Sequence, residues 1–197
     1  MRRRPLTALV SLVLVTGLLR APSTAGAREA LDLDGTSWSF LAAIARTKAR
    51  ASGLGAMRQR GGEDVVVSLL PGETWRADVG SALVLGGTFS RENELARRLL
   101  LTLDTPSAEA LAALYVGAIE AGAAQEGVDL NVALAVERSA IVLVVRPKKR
   151  TGMATAKLTA KFVLVGTVTV PGAGSVPGKV RATLRGTSLP LLLGPSA

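Results

Sequence analysis

From Met153 to Val170 the chain alternates two kinds of side chain. Even positions read Ala154, Ala156, Leu158, Ala160, Phe162, Leu164, Gly166, Val168 and Val170, and odd positions carry Thr155, Lys157, Thr159, Lys161, Thr167 and Thr169 among three apolar neighbours. A period of two marks a strand with one buried and one wetter face. Strands usually run about five or six residues, so a segment this long has to bend, and Gly166, which has no side chain to pack, is the expected place. Long bent strands suit a barrel or a strongly curved sheet.

The same period recurs along the chain. Trp38, Phe40, Ala42 and Ile44 are read as one face, with Ser37, Ser39 and Ala43 on the other. Val65, Val67 and Leu69 form a run that Pro71-Gly72 ends, and runs at 74–79, 82–90 and 95–103 are separated by Gly80-Ser81 and Arg91-Glu92-Asn93. Leu130, Val132, Leu134 and Val136 alternate with polar or small residues, as do Val180, Ala182 and Leu184. Residues 141–145 are apolar on both faces, which predicts a strand covered on its outside. One segment breaks the pattern. Thr105 reads as a helix N-cap with Pro106 in the first turn, Leu111, Leu114, Tyr115, Ala118 and Ile119 recur at helical spacing, and Gly127 offers a stop. The expectation is an all-β antiparallel barrel of about eight to ten strands. One inserted α-helix, at about 106–126, would lie over a barrel mouth or against an open side. The tail at 190–197 is expected to pack or fray.

Residues 1–27 combine Arg2-Arg3-Arg4, an apolar run from Leu6 to Leu19 and Ala25-Gly26-Ala27. That is the order of a secretory signal peptide, so a single domain at 28–197 is expected in a secreted or periplasmic setting. The chain has no Cys and no His. Disulfides, cysteine nucleophiles, histidine-based triads and zinc sites built from these residues are therefore excluded. Charge is unevenly distributed: residues 139–197 hold nine Lys/Arg and no Asp or Glu, whereas 28–138 hold 11 basic and 15 acidic residues. A basic region of this kind predicts contact with an anionic envelope surface, lipid or polymer, through Arg146, Lys148, Lys149, Arg150, Lys157 and Lys161. Only six aromatic residues exist in the chain, and none interleaves the basic cluster, so bases would find no stacking platform and no nucleic-acid partner is expected.

Three short motifs resemble catalytic or ligand signatures without their context. Asp32-Leu33-Asp34-Gly35-Thr36 resembles the first motif of haloacid-dehalogenase-type phosphatases, but it lacks the preceding buried strand and the later carboxylates that would hold Mg²⁺. It reads as a polar lead-in to the first strand. Residues 173–180 approach a phosphate-binding loop, yet a strand rather than a helix follows, and 171–178 reads as a hairpin connection. Glu63-Asp64 and Glu92/Glu94 read as solvated acids at turns. No catalytic residue, metal ligand or cofactor is assigned, and the sequence defines no oligomeric state.

Leu33-Asp34-Gly35-Thr36-Ser37-Trp38 resembles the Gly-x-Trp opening of lipocalin-like barrels, with two residues rather than one between Gly35 and Trp38. Gly72-Glu73-Thr74-Trp75, Gly86-Gly87-Thr88-Phe89 and Leu99–Asp104 are similar to mid-barrel hairpins of the same family. The resemblance implies a lipocalin-like barrel whose interior binds an apolar or amphiphilic small molecule. On the sequence's own terms, the inward set contains small residues opposite Trp38 and Phe40, which predicts a non-catalytic binding module with Trp38, Phe40, Ala156, Ala160 and Phe162 around the ligand.

Overall fold

The computed structural model describes residues 31–53, 55–91, 97–148 and 151–193. The segment read as a signal peptide lies outside them, as do Glu92, Glu94, Lys149 and Arg150.

Eight antiparallel strands form a closed barrel: β1 (Ser37–Ala51), β2 (Gly55–Leu70), β3 (Thr74–Val79), β4 (Leu83–Arg91), β5 (Arg98–Leu103), β6 (Asn131–Pro147), β7 (Met153–Val170) and β8 (Gly174–Thr187). Each strand pairs with the next, and β8 returns to β1. A helix, α1 (Thr105–Gln125), separates β5 from β6. In the tail a two-residue strand, β9 (Leu191–Leu192), pairs with Met153 and Ala154 of β7.

Unequal strand lengths shape the molecule. β3 and β5 have 6 residues each, whereas β1, β2, β6, β7 and β8 have 14 to 18. β2 pairs with β3 only over residues 65–70, and β6 pairs with β5 only over 98–101 against 141–144. The first halves of β2 and β6 therefore run past the short strands, and with β7, β8 and β1 they form a curved wall open on one side. Helix α1 lies in that opening, packed on β6 and β4, and Glu120 accepts a hydrogen bond from the Val132 amide on the uncovered edge of β6 (2.9 Å).

The 153–170 alternation is realised without a break from Ala154 to Leu164: Ala154, Ala156, Leu158, Ala160, Phe162 and Leu164 are buried, and beyond them Val168 is buried while Gly166 and Val170 are partly exposed. At Gly166 the neighbouring backbone comes so close that a Cβ would collide with the Ala133 carbonyl oxygen. The near-match to a phosphate loop is a hairpin, with Val170 opposite Gly174.

Two β-bulges alter the expected faces. In β1 the register shifts between Phe40 and Ala43, and Ala42 takes φ 48°. A bulge adds one residue and reverses the alternation beyond it. Trp38 and Phe40 thus point inward as expected, but Ala43, Ala45, Thr47 and Ala49 follow them, and Ala42 and Ile44 turn out to solvent. The second shift lies between Val136 and Arg138 and joins two apolar runs into one strand, β6. Inward residues change there from Val132, Leu134 and Val136 to Ile141, Leu143 and Val145. Val142 and Val144 are partly exposed rather than covered by an outer layer.

The helix begins one residue earlier than its cap was expected. Asp104, not Thr105, is the N-cap, accepting from the Ser107 amide at 2.8 Å. Ser107 in turn accepts the Gly86 amide at 2.7 Å, which ties the first turn to β4. At the other end Gly127 (φ 75°) and Val128 donate to Ala124 and Ala123, a Schellman closure that satisfies the last carbonyls.

A candidate ligand cavity beneath the helix

The two ends of the barrel are filled differently. At the end where β1 begins, Leu33, Trp38, Phe40, Leu69, Leu99, Leu143, Val145 and Ala154 have essentially no solvent exposure. The lead-in segment closes this end: Gly35 donates to Leu69 and Leu69 to Thr36, both at 2.8 Å. These bonds hold Leu33 inside the barrel, so the expected polar lead-in carries a buried apolar plug. Trp38 donates its indole N–H to the Thr36 hydroxyl at 3.1 Å, a partner such a ring requires when buried.

Toward the opposite end the interior is not filled, and a cavity of about 380 Å³ remains. This falls within the range of roughly 300–1,000 Å³ usual for small-molecule sites. Its inner wall comprises Val65, Val67, Trp75, Ala77, Leu85, Leu101, Ile141, Leu158, Ala160, Phe162, Val180 and Ala182. Leu111, Leu114, Tyr115, Ala118 and Ile119 of α1 form the lid, so the helical face read from the sequence meets the barrel interior. Thr47, Gln59 and Glu63 stand on β1 and β2 at the mouth.

Of the predicted ligand residues, Ala160 and Phe162 line this cavity. Trp38, Phe40 and Ala156 do not: they are packed into the filled end, at 0, 0 and 1 % exposure. Trp75 and Tyr115 are the aromatic walls that the alternation argument missed. Trp75 is held in place by its indole N–H, which donates to the Thr102 carbonyl at 3.1 Å.

Among the polar lining residues, Thr47 and Glu63 lie close to the Tyr115 phenol. Burial pushes the Tyr115 phenol above its usual pKa; the adjacent Thr47 side chain pulls the other way, and the Glu63 carboxylate raises it further. Glu63 and Asp64 read as solvated acids at a turn, and both are exposed, but not at a turn. Both lie within β2, with Glu63 on the cavity side and the Asp64 carboxylate accepting the Ala42 amide at the bulge (2.8 Å). Among the described residues the cavity lining includes no Lys or Arg, and Glu63 is its only acid.

The predicted basic contacts are not one cluster. Arg146 lies opposite Thr155 and Lys157 opposite Thr187, near the filled end, and Lys148 is exposed just beyond β6. Lys161 lies farther along β7, opposite Thr183, which pairs with Arg46. Lys149 and Arg150 lie outside the described residues. A denser basic group lies on β1, β2 and β8; its β8 members, Lys179 and Arg181, belong to the basic region read from the sequence, whereas its β1 and β2 members escape that reading. Their sequence signal is the two-residue spacing of Arg46, Lys48 and Arg50 and of Arg58 and Arg60.

Among the described residues no group of three or more acids capable of holding a metal ion occurs. No family model, curated protein or solved structure matches the chain.

Proposed function

We propose that this chain is a non-catalytic, exported binding protein of lipocalin-like type that holds one apolar or amphiphilic molecule with an uncharged head. The observation that carries the reading is the largely apolar cavity beneath α1, with Thr47 and Glu63 close to the Tyr115 phenol in its lining. An acyl chain would lie against Val65, Leu101, Phe162 and Val180, and its head would meet Thr47, Gln59 and Tyr115. Glu63 disfavours a carboxylate head, since the lining supplies no cation to offset the repulsion. The closed meander and the Gly35–Trp38 opening support the lipocalin-like part of the reading, although α1 sits between β5 and β6 rather than after the strands.

The test is organic extraction of the purified protein followed by mass spectrometry, together with titration by the uncharged fluorophore N-phenylnaphthylamine. The expected result is saturable binding that a long-chain alcohol displaces better than the matching fatty acid. Ala160→Leu with Ala182→Leu should abolish binding while leaving a cooperative thermal transition. A protein that carries nothing and leaves the fluorophore unchanged would overturn the reading.

A further inference from the structure

The outer surface of the cavity's own wall carries an array of cations. β1 directs Arg46, Lys48 and Arg50 outward, between Arg58 and Arg60 of β2 and Lys179 and Arg181 of β8. The ladder sets Arg46 opposite Arg60, Lys48 between Arg58 and Arg181, and Arg50 opposite Lys179. Neighbouring charges therefore repeat at roughly 5 Å across the strands and 7 Å along them. Lys179 meets Glu137 at 3.7 Å, but among the described residues none of the other six is paired with a carboxylate. The Lys48 ammonium is held below its usual pKa, first by Arg50, then by desolvation, and further by Arg58 and Arg181.

Like charges directly opposite on adjacent strands oppose folding. A solubilising surface would alternate signs instead. The array thus weakens the fold in isolation and gains from an anionic partner.

We infer that this β2–β1–β8 face docks the protein onto an anionic lipid bilayer. The face is the outside of a barrel wall, and the hollow among Arg46, Lys48, Arg58, Arg60 and Arg181 is shallow and open, so it presents a broad array to a surface. Ile44, 43 % exposed, continues the outward row of β1 beside Arg46 and offers an apolar contact at its border. No aromatic side chain is available there for stacking bases. Trp38, Phe40, Trp75, Phe89 and Phe162 are buried, and Tyr115 belongs to the cavity. Met57, 44 % exposed on β2, lies at the cavity mouth beside the array, so docking would bring the mouth close to the headgroups. The cations that carry the inference are not residues of the cavity reading, and either can fail alone.

The experiment is sedimentation of the protein with phosphatidylcholine vesicles, with and without phosphatidylglycerol, at low and high salt. Binding is expected only with phosphatidylglycerol and is expected to fall steeply with salt. Each cation removed should weaken it roughly fivefold, so Arg46→Gln/Arg60→Gln/Arg181→Gln should lose roughly a hundredfold. The control Arg146→Gln/Lys148→Gln, at the other end of the barrel, should change it far less. The triple variant should also melt at a higher temperature than the parent, which separates lost docking from lost folding. Equal binding to both kinds of vesicle, or an equal loss in the control, would overturn the inference. So would capture by soluble dextran sulfate without capture by vesicles, which would make the partner an acidic polymer.

Discussion

The Asp64 carboxylate accepts the amide of Ala42 at 2.8 Å, across the point where β1 gains an extra residue. That bond offsets the positive φ of a residue with a Cβ, a conformation that costs about 1 kcal/mol or more. Asp64→Ala is expected to lower stability by roughly 0.5–1.5 kcal/mol, read as a lower urea midpoint at unchanged slope. Ala42→Gly should act in the opposite direction, because glycine adopts this φ without steric penalty. A midpoint that moves down for Ala42→Gly would mean that the bulge carries no strain.

This bulge also marks where sequence reading loses the fold. Period-two order was sufficient for β7, whose inward residues Ala154 to Leu164 are all buried, because nothing interrupts its register. In β1, Ala42 and Ile44 continue the apolar period beyond Phe40, and only the backbone reversal at Ala42 sends them outward. The helical lid was legible from Leu111 to Ile119, since a period near four is distinct from a period of two. The cavity was legible in part: of five expected residues Ala160 and Phe162 line it, whereas Trp38, Phe40 and Ala156 fill the closed end. Which end of a barrel is hollow depends on strand lengths and on the Leu33 plug, and neither leaves a local signature. The basic array was hidden by averaging, because Arg46, Lys48, Arg50, Arg58 and Arg60 belong to the stretch with an acidic net charge. Only the β1–β8 pairing brings Arg181 beside them.

Ser107 is a second point where one side chain sets the site. It is 6 % exposed, and its hydroxyl accepts the Gly86 amide while its own amide reaches the Asp104 cap. Ser107→Ala leaves a part-buried amide without an acceptor and is expected to cost about 1–3 kcal/mol. Because the lost bond anchors the lid, fluorophore affinity should fall as well, by more than the Asp64→Ala variant produces. Parallel urea and fluorescence titrations of the two variants check this; equal affinities would separate the anchor from the lid.

Gly166→Ala tests a close backbone approach in the barrel. The added methyl meets the Ala133 carbonyl oxygen and the Leu134 backbone, neither of which can yield as a flexible side chain would. A loss of about 1–3 kcal/mol, typical of overpacking, is the lower bound expected. Thermal denaturation measures it. Gly117→Ala, on the helix where a Cβ meets nothing within 4 Å, should instead be neutral or stabilising.

Tyr115 is the single tyrosine of the chain, so phenolate absorbance reports it alone. Its pKa is raised above 10.0, first by burial. The folded state then keeps the phenolic proton to higher pH than the unfolded chain does. Its contribution is fully present below pH 10 and is lost as pH rises from there through the folded value. Lys48 acts in the opposite sense below its ordinary 10.5, so the difference between the parent and Tyr115→Phe isolates the phenol. The parent should lose stability relative to Tyr115→Phe above pH 10. A phenolate that appears at the ordinary pH would place the ring in water and remove the lid from the site.

The two tryptophans divide the interior between them. Trp75 lines the cavity, whereas Trp38 is sealed in the filled end with no exposure. A brominated long-chain alcohol bound in the cavity should therefore quench the emission of Trp75 and leave that of Trp38 largely intact. The measurement uses Trp38→Phe and Trp75→Phe, each retaining one indole. Strong quenching is expected in Trp38→Phe and little in Trp75→Phe, provided both variants melt cooperatively. Both rings are buried and hydrogen-bonded, Trp75 to the Thr102 carbonyl and Trp38 to the Thr36 hydroxyl, so collisional access from solvent cannot produce the difference. Equal quenching in the two variants would put the bound chain through the closed end, past Leu33, and would reverse the assignment of which end of the barrel is hollow.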